Sequence, residues 1–139
     1  MGAELTQYPN LFRAVVSFVG IYDMLRVELS PNGAFNVTEF GTTKEPDQFR
    51  ALYAYSPYHH VTDGTQYPAV LFMTGDNDPR VDPMHSRKMT ARLQATGTKR
   101  LVLLLTSGTS GHGVGTARSE QIAQYADAWA FIFDQLGVR

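Results

Sequence analysis

Three stretches of this chain are almost wholly apolar, and segments of helical character lie between and after them. Leu11–Ile21 (LFRAVVSFVGI), Ala69–Thr74 (AVLFMT) and Arg100–Thr106 (RLVLLLT) are rich in β-branched and large side chains and show no polar alternation. Such runs fit strands buried on both faces, the habit of parallel sheets. Gly2–Gln7 predicts a short helix stopped at Tyr8-Pro9, since the residue before proline disfavours the helical region. Glu45–Tyr55 reads as a helix ending ahead of Ser56-Pro57, and Pro83–Thr96 as an amphipathic helix ending at Gly97. Ser119–Leu136 sets Ile122, Tyr125, Ala126, Trp129, Ile132, Phe133 and Leu136 at helical spacing and predicts a closing helix. Tyr22–Gly41, punctuated by glycine and proline, is expected to be a long excursion.

Strand alternating with helix predicts an α/β layer architecture with right-handed crossovers. In such sheets ligands collect beyond the carboxyl ends of the strands. The second apolar run leads into an acidic loop, T-G-D-N-D-P-R-V-D-P over Thr74–Pro83. The third leads into a glycine-rich histidine loop, S-G-H-G-V-G over Ser110–Gly115. Both loops are therefore expected on one rim. There is no internal repeat, low-complexity tract or linker, so one domain is expected over 1–139.

Composition narrows the partners. The chain has 139 residues, 43% hydrophobic and 18% charged, which suits one globular domain with a modest core. Its formal net charge of −1 favours neither nucleic acid nor an anionic membrane surface. With no cysteine there is neither a disulfide nor a thiolate metal site. No apolar run reaches the roughly 18 residues of a membrane span. Residues 1–7 lack the basic and apolar regions of a signal peptide, so a cytoplasmic location is expected.

A histidine acting as general base needs its second ring nitrogen held by an acceptor, usually a buried carboxylate. His112 is the candidate base, and Asp76, Asp78 or Asp82 the orienting acid. The alternative is a surface histidine in a glycine loop, with the aspartates as turn formers. Asp76, Asp78, Asp82 and His85 resemble a calcium loop only superficially, because Arg80 stands where an oxygen is wanted and the closing glutamate is missing. No metal and no cofactor are expected. His59 and His60 read as loop residues, one of them a hydrogen bonder at a helix end, and Met24, Met73, Met84 and Met89 as core filler. The nucleophile elbow G-x-S-x-G does not occur. Gly108–His112 (G-T-S-G-H) comes nearest, which leaves Ser107 and Ser110 as possible substitute nucleophiles.

Several further strings complete the pattern: Q-Y-P-N-L-F-R-A-V-V over Gln7–Val16, V-G-I-Y-D-M-L over Val19–Leu25, and Y-S-P-Y-H-H-V over Tyr55–Val61. Tyr67-Pro68, D-P-R-V over Asp78–Val81 and Gly111-His112-Gly113 join them. Together they resemble the C-terminal part of the catalytic domain of the prolyl oligopeptidase family of serine peptidases. The resemblance implies a partial α/β-hydrolase fold, three-layered, with a short, mostly parallel sheet of about three strands flanked by helices. It implies Asp78 as the triad acid, His112 as the base and Arg80 as the residue that binds a substrate carbonyl. Ile21, Phe35 and Val81 match positions lining a proline pocket, with Phe35 where the family often has tryptophan. Asn77 and Pro79 depart from the family's usual acidic loop.

The family's serine elbow, G-G-S-N-G-G, precedes a helix like Met1-Gly2-Ala3, so the resemblance predicts a chain that starts just past its nucleophile. The propeller, the oxyanion contributors and the first five or so strands are expected to be missing with it, and Met1 to be an internal methionine used as a start. The first apolar run would then expose an open sheet edge, which natural proteins rarely leave bare, and a homodimer through Leu11–Ile21 is expected. The expected activity is hydrolysis of peptides or small esters by an Asp78–His112 dyad. The alternative is an inactive, truncated remnant serving as an assembly module.

Overall fold

In the computed structural model residues 1–113 and 116–138 are described. Val114 and Gly115, which end the glycine-rich histidine motif, and Arg139 lie outside the described residues. In chain order the elements are α1 (Gly2–Gln7), β1 (Ala14–Phe18), α2 (Gly33–Phe40), α3 (Pro46–Tyr55), β2 (Ala69–Gly75), α4 (Met84–Gln94), β3 (Val102–Ser107) and α5 (Arg118–Leu136). Single 3₁₀ turns occupy Pro9–Leu11, Val27–Leu29 and Pro57–His60.

The sheet has the order β1-β2-β3 and is wholly parallel. Ala14 pairs with Ala69 at one end, and Gly75 with Ser107 at the carboxyl end of the neighbouring ladder. Among the described residues only β2 has neighbours on both sides, and all seven of its residues are buried. On one face α4 covers Val70, Phe72 and Val102 with Met89 and Leu93; Tyr22 and Leu5 complete that core. On the other, Ala128 and Phe131 of α5 pack on Ala69, Leu71 and Met73. This is a helix–sheet–helix sandwich, three layers deep.

Four expectations are corrected. The first apolar run is a strand only over Ala14–Phe18 and is not buried on both faces: Leu11 leaves it in a proline-led 3₁₀ turn, and Phe18 is exposed. The third run, expected to be covered, leaves Leu101 and Leu103 exposed, because β3 is the other edge and α5 leans over β1 and β2. The excursion over Tyr22–Gly41 contains helix α2. Finally, α5 meets the sheet through Ala128, Phe131 and Ile132, while Ile122, Tyr125, Trp129, Phe133 and Leu136 face outward. A sheet three short strands wide covers one face of a 19-residue helix and no more.

The minor expectations fare better. His60 Nε2 sits 2.8 Å from the Tyr53 carbonyl in the last turn of α3; Met24, Met73 and Met89 are core residues, whereas Met84, at the start of α4, is only half-buried. Among the described residues no helix is long and apolar enough to cross a membrane.

Candidate active site

β2 and β3 end side by side, so the loops that follow them leave the sheet together. Three hydrogen bonds zip these loops: Asp76 N–H to the Ser107 carbonyl (2.8 Å), Asn77 N–H to the Ser110 carbonyl (3.2 Å) and Asn77 Nδ2 to the Gly108 carbonyl (2.8 Å). The approach is close enough to demand glycine at the hinge, since a Cβ on Gly75 would lie 2.2 Å from the Ser110 carbonyl oxygen. Gly113, with φ of 97°, makes the left-handed turn just after the histidine.

Asp78 and His112 meet across this zipper. His112 Nδ1 lies 2.8 Å from Asp78 Oδ2. An ionised carboxylate only accepts, so the proton is on Nδ1 and the lone pair on Nε2. The other carboxylate oxygen accepts the backbone N–H groups of Arg80 (2.8 Å) and Val81 (2.9 Å), which fixes its orientation. The Asp78 side chain is fully buried and that of His112 is 22% exposed, so the acid is sealed while the ring reaches solvent.

The other aspartates of the loop are engaged elsewhere. Asp76 pairs with Arg87 of α4 at 2.7 Å, and Asp82 accepts the Met84 N–H at 2.8 Å at the start of α4. His85 Nδ1 accepts from the backbone N–H groups of Tyr22 and Asp23. The four members of the weighed metal set are thus dispersed.

His112 separates two cavities. The smaller, about 290 Å³, is lined by Ile21, Phe35, Arg80 and Val81, together with Val19 and His112 itself. Phe40 adds to its apolar wall, and Asn32, Asn36 and Glu39 join the Arg80 guanidinium as its polar one. The larger, about 630 Å³, runs between the ends of β1 and β2 and the flank of α5, past Phe18, Ser107, Ser110, Gln124 and Tyr125.

Ser107 and Ser110 stand in that groove with their hydroxyls engaged. Ser107 Oγ donates to Glu120 of α5, which also accepts from Thr109 at 2.9 Å. The Ser107 hydroxyl and then the Thr109 hydroxyl hold the Glu120 carboxyl below its ordinary value. Ser110 is buried, and its hydroxyl lies 3.4 Å from Gln124 Nε2. Among the described residues neither serine is hydrogen bonded to His112.

Two site residues escaped the sequence reading. Asn77 is the side-chain clasp between the loops; its only signal was its departure from the expected loop pattern. Val19 lines both cavities with φ of 44°, a conformation rare for a β-branched residue and signalled only by the glycine beside it.

Comparison with known proteins fits this geometry. A sequence model described as the prolyl oligopeptidase family matches residues 1–139. The prolyl endopeptidase of Dictyostelium discoideum is 40% identical over 143 residues, covering 100% of this chain and 19% of the relative. A chain from a structural and mechanistic study of two prolyl endopeptidases superposes with a TM-score of 0.95 at 42% identity, covering 99% of this chain and 20% of that one. Prolyl oligopeptidase B of Galerina marginata, bound to a 35-residue hydrolysis and macrocyclization substrate as a serine-to-alanine mutant, gives a TM-score of 0.91 at 30% identity over 99% of this chain and 20% of that one. The chain thus spans about one fifth of the length of the relatives it matches.

Proposed function

We propose, on the premise that this chain belongs to the prolyl oligopeptidase family, that it is the C-terminal part of a serine-peptidase catalytic domain and supplies its acid and base. The observation that carries this is the 2.8 Å bond from His112 Nδ1 to a carboxylate that is sealed from water and clamped by two loop amides. That bond fixes the tautomer and leaves Nε2 to take a hydroxyl proton during attack and return it to the leaving amine. Asp78 stays ionised and stabilises the imidazolium that forms in between.

The smaller cavity is proposed to take the substrate. Ile21, Phe35 and Val81 offer apolar contacts for a ring such as that of proline in a cavity whose lining also includes Asn32, Asn36 and Glu39, and Arg80 offers a donor for a peptide carbonyl. The larger groove on the opposite side of His112 is where a nucleophile would approach. Ser107 and Ser110 are the proposed internal candidates, but Ser107 gives its proton to Glu120 and Ser110 is buried. A serine supplied from outside this chain would find more open space in the groove than either. Substrates are peptides or small esters.

The test is p-nitrophenyl ester hydrolysis by the native chain and by His112→Ala. A positioned base contributes roughly 10²–10⁴-fold, so the variant is expected to be slower by a factor in that range; equal rates remove His112 from the chemistry. Fluorophosphonate labelling with mass spectrometry then decides the internal nucleophile, since a modified Ser107 or Ser110 supports one and an unlabelled chain rejects both.

A second reading, a non-catalytic assembly module, is favoured by one feature. Among the described residues the outer edge of β1 pairs with no strand, and Tyr125 of the exposed α5 stripe meets Phe18 in a tilted contact with ring centroids 5.8 Å apart. Edge and stripe are continuous, which suits a symmetric dimer that extends the sheet. A strictly monomeric species by light scattering at about ten times the concentration of an ordinary micromolar complex would reject it.

A further inference from the structure

The segment leading from β1 into the smaller cavity, residues 19–23, is strained at one end and tied down at the other. Val19 holds its left-handed conformation while its N–H donates to the Met73 carbonyl over 2.8 Å. Gly20 leaves no room for a side chain, since a Cβ there would stand 2.3 Å from the Tyr22 hydroxyl. Tyr22 turns inward, edge-on to Phe72, and its hydroxyl donates to Ser17 Oγ over 2.7 Å. At the far end the backbone N–H groups of Tyr22 and Asp23 both point at one atom, His85 Nδ1, at 3.4 and 3.2 Å.

His85 lies in the first turn of α4, is 1% exposed and lines neither cavity. A ring nitrogen that receives N–H groups carries no proton, so the proton is on Nε2, which is buried without a partner. Imidazolium has no lone pair to offer, and protonation must break both bonds to the segment.

We infer that His85 is a positioning residue of the candidate site: its neutral imidazole latches residues 19–23 and so sets Val19 and Ile21 against His112, Arg80 and Val81. The inference rests on reading the smaller cavity as the substrate side. It explains why a β-branched residue persists at φ of 44° beside the site: strain of that kind survives only where the surroundings over-determine it. It also gives the unpartnered Nε2 an account, because the tautomer that serves the backbone strands the other nitrogen.

The charged groups facing the ring are Asp23 on the segment itself, Asp82 ahead of α4 and Lys88 along α4, with Arg26 and His59 reached through Asp23. Burial depresses the imidazole below its ordinary value; Asp23 and Asp82 oppose this, and Lys88 adds to it. A folded-state value below the unfolded one means that the latch is fully closed above about pH 6.5 and is lost as the pH falls through the folded value.

Nuclear magnetic resonance on the whole labelled chain tests this. At about pH 7.5 the His85 ring should show a bare Nδ1 and a protonated Nε2. On acidification the Ile21 methyl shift should follow the His85 titration with a midpoint below about 6.5, and Tyr22 and Asp23 amide protection should fall at least ~10-fold with it. The Phe72 amide in β2 should keep its protection. His85→Asn supplies a non-titrating acceptor near the Nδ1 position and should hold the segment at every pH, whereas His85→Leu should release it at every pH. A proton on Nδ1, an Ile21 methyl indifferent to the titration, or a His85→Asn chain as pH-sensitive as the native one would overturn the inference. If His85→Asn does not fold, the tautomer and the Ile21 methyl of the native chain decide. None of these readouts needs turnover, so absence of peptidase activity would count against the functional reading alone.

Discussion

Replacing Asp78 by asparagine separates what the residue does for the fold from what it does for the chemistry. Its carboxylate accepts three hydrogen bonds, at 2.8 and 2.9 Å from the Arg80 and Val81 amides and at 2.8 Å from His112. Asparagine keeps an oxygen for the two amides and turns an NH₂ group toward His112 Nδ1. That nitrogen must then accept, the ring proton moves to Nε2, and the lone pair that would take a hydroxyl proton is gone. Bonds to charged groups contribute roughly 1.5–3 kcal/mol each and neutral ones 0.5–1.5. By those figures each of the three bonds loses roughly 1–1.5 kcal/mol as its acceptor or partner becomes neutral, but burying an amide in place of a charged carboxylate returns desolvation of several kcal/mol, so the exchange costs less than losing the bonds outright. Asp78→Ala strands all three donors and costs about 3–5 kcal/mol, the figure for breaking a buried pair. Urea midpoints at unchanged m measure both, and p-nitrophenyl ester rates measure the chemistry. Both variants should fall to the rate of His112→Ala, although only alanine harms the fold severely. An asparagine variant that kept the His112-dependent rate would refute the tautomer argument, and one as unstable as the alanine variant would refute the clamp.

Three further outcomes follow from the packing. Lys88→Met removes a hydrogen-bonding cation from Asp23, which is buried with Arg26 3.1 Å away. Burial would raise the Asp23 carboxyl, but Lys88 first, then His59 and Arg26, hold it below its ordinary value. Its stabilisation is therefore present above the unfolded value and lost as the pH falls through the folded one, so a deficit of roughly 2–4 kcal/mol at neutral pH should shrink as the pH falls below the ordinary carboxylate range, as urea midpoints would record. Gly75→Ala drives a methyl into the Ser110 carbonyl and should cost about 1–3 kcal/mol while weakening His112-dependent ester hydrolysis. Trp129→Ser lies on the exposed α5 stripe and should leave stability within about 0.5 kcal/mol. If copies associate through that stripe, sedimentation should show association weakened at least ~10-fold.

The parts of this fold legible in the sequence are those whose local pattern and tertiary setting agree. β2 was plain because a strand with neighbours on both sides and helices above and below is apolar at every position. The helices over Gly2–Gln7, Pro46–Tyr55 and Met84–Gln94 announced themselves by the prolines and glycine that end them. The edge strands misled: β1 and β3 have the composition of buried strands, yet each has one neighbour and incomplete cover. The α5 stripe misled in the same way, since periodicity reports that a face is apolar and not what lies against it. At the site, Asp78 and His112 were legible as loop residues after adjacent strands. Spacing left three aspartates open and only the resemblance singled out Asp78; the fold turns Asp76 to Arg87 and Asp82 to α4. The roles of Asn77, Val19 and His85 depend on backbone atoms far along the chain, and no local pattern encodes those.

The account rests on His112 being a base oriented by Asp78, and the ring-nitrogen resonances of His112 test that most directly. At about pH 8.5, where an ordinary histidine is neutral, the account predicts a protonated Nδ1 coupled to the Asp78 carboxylate and a bare Nε2. In the Asp78→Asn chain the proton should move to Nε2. A native ring already carrying its proton on Nε2 would contradict the account.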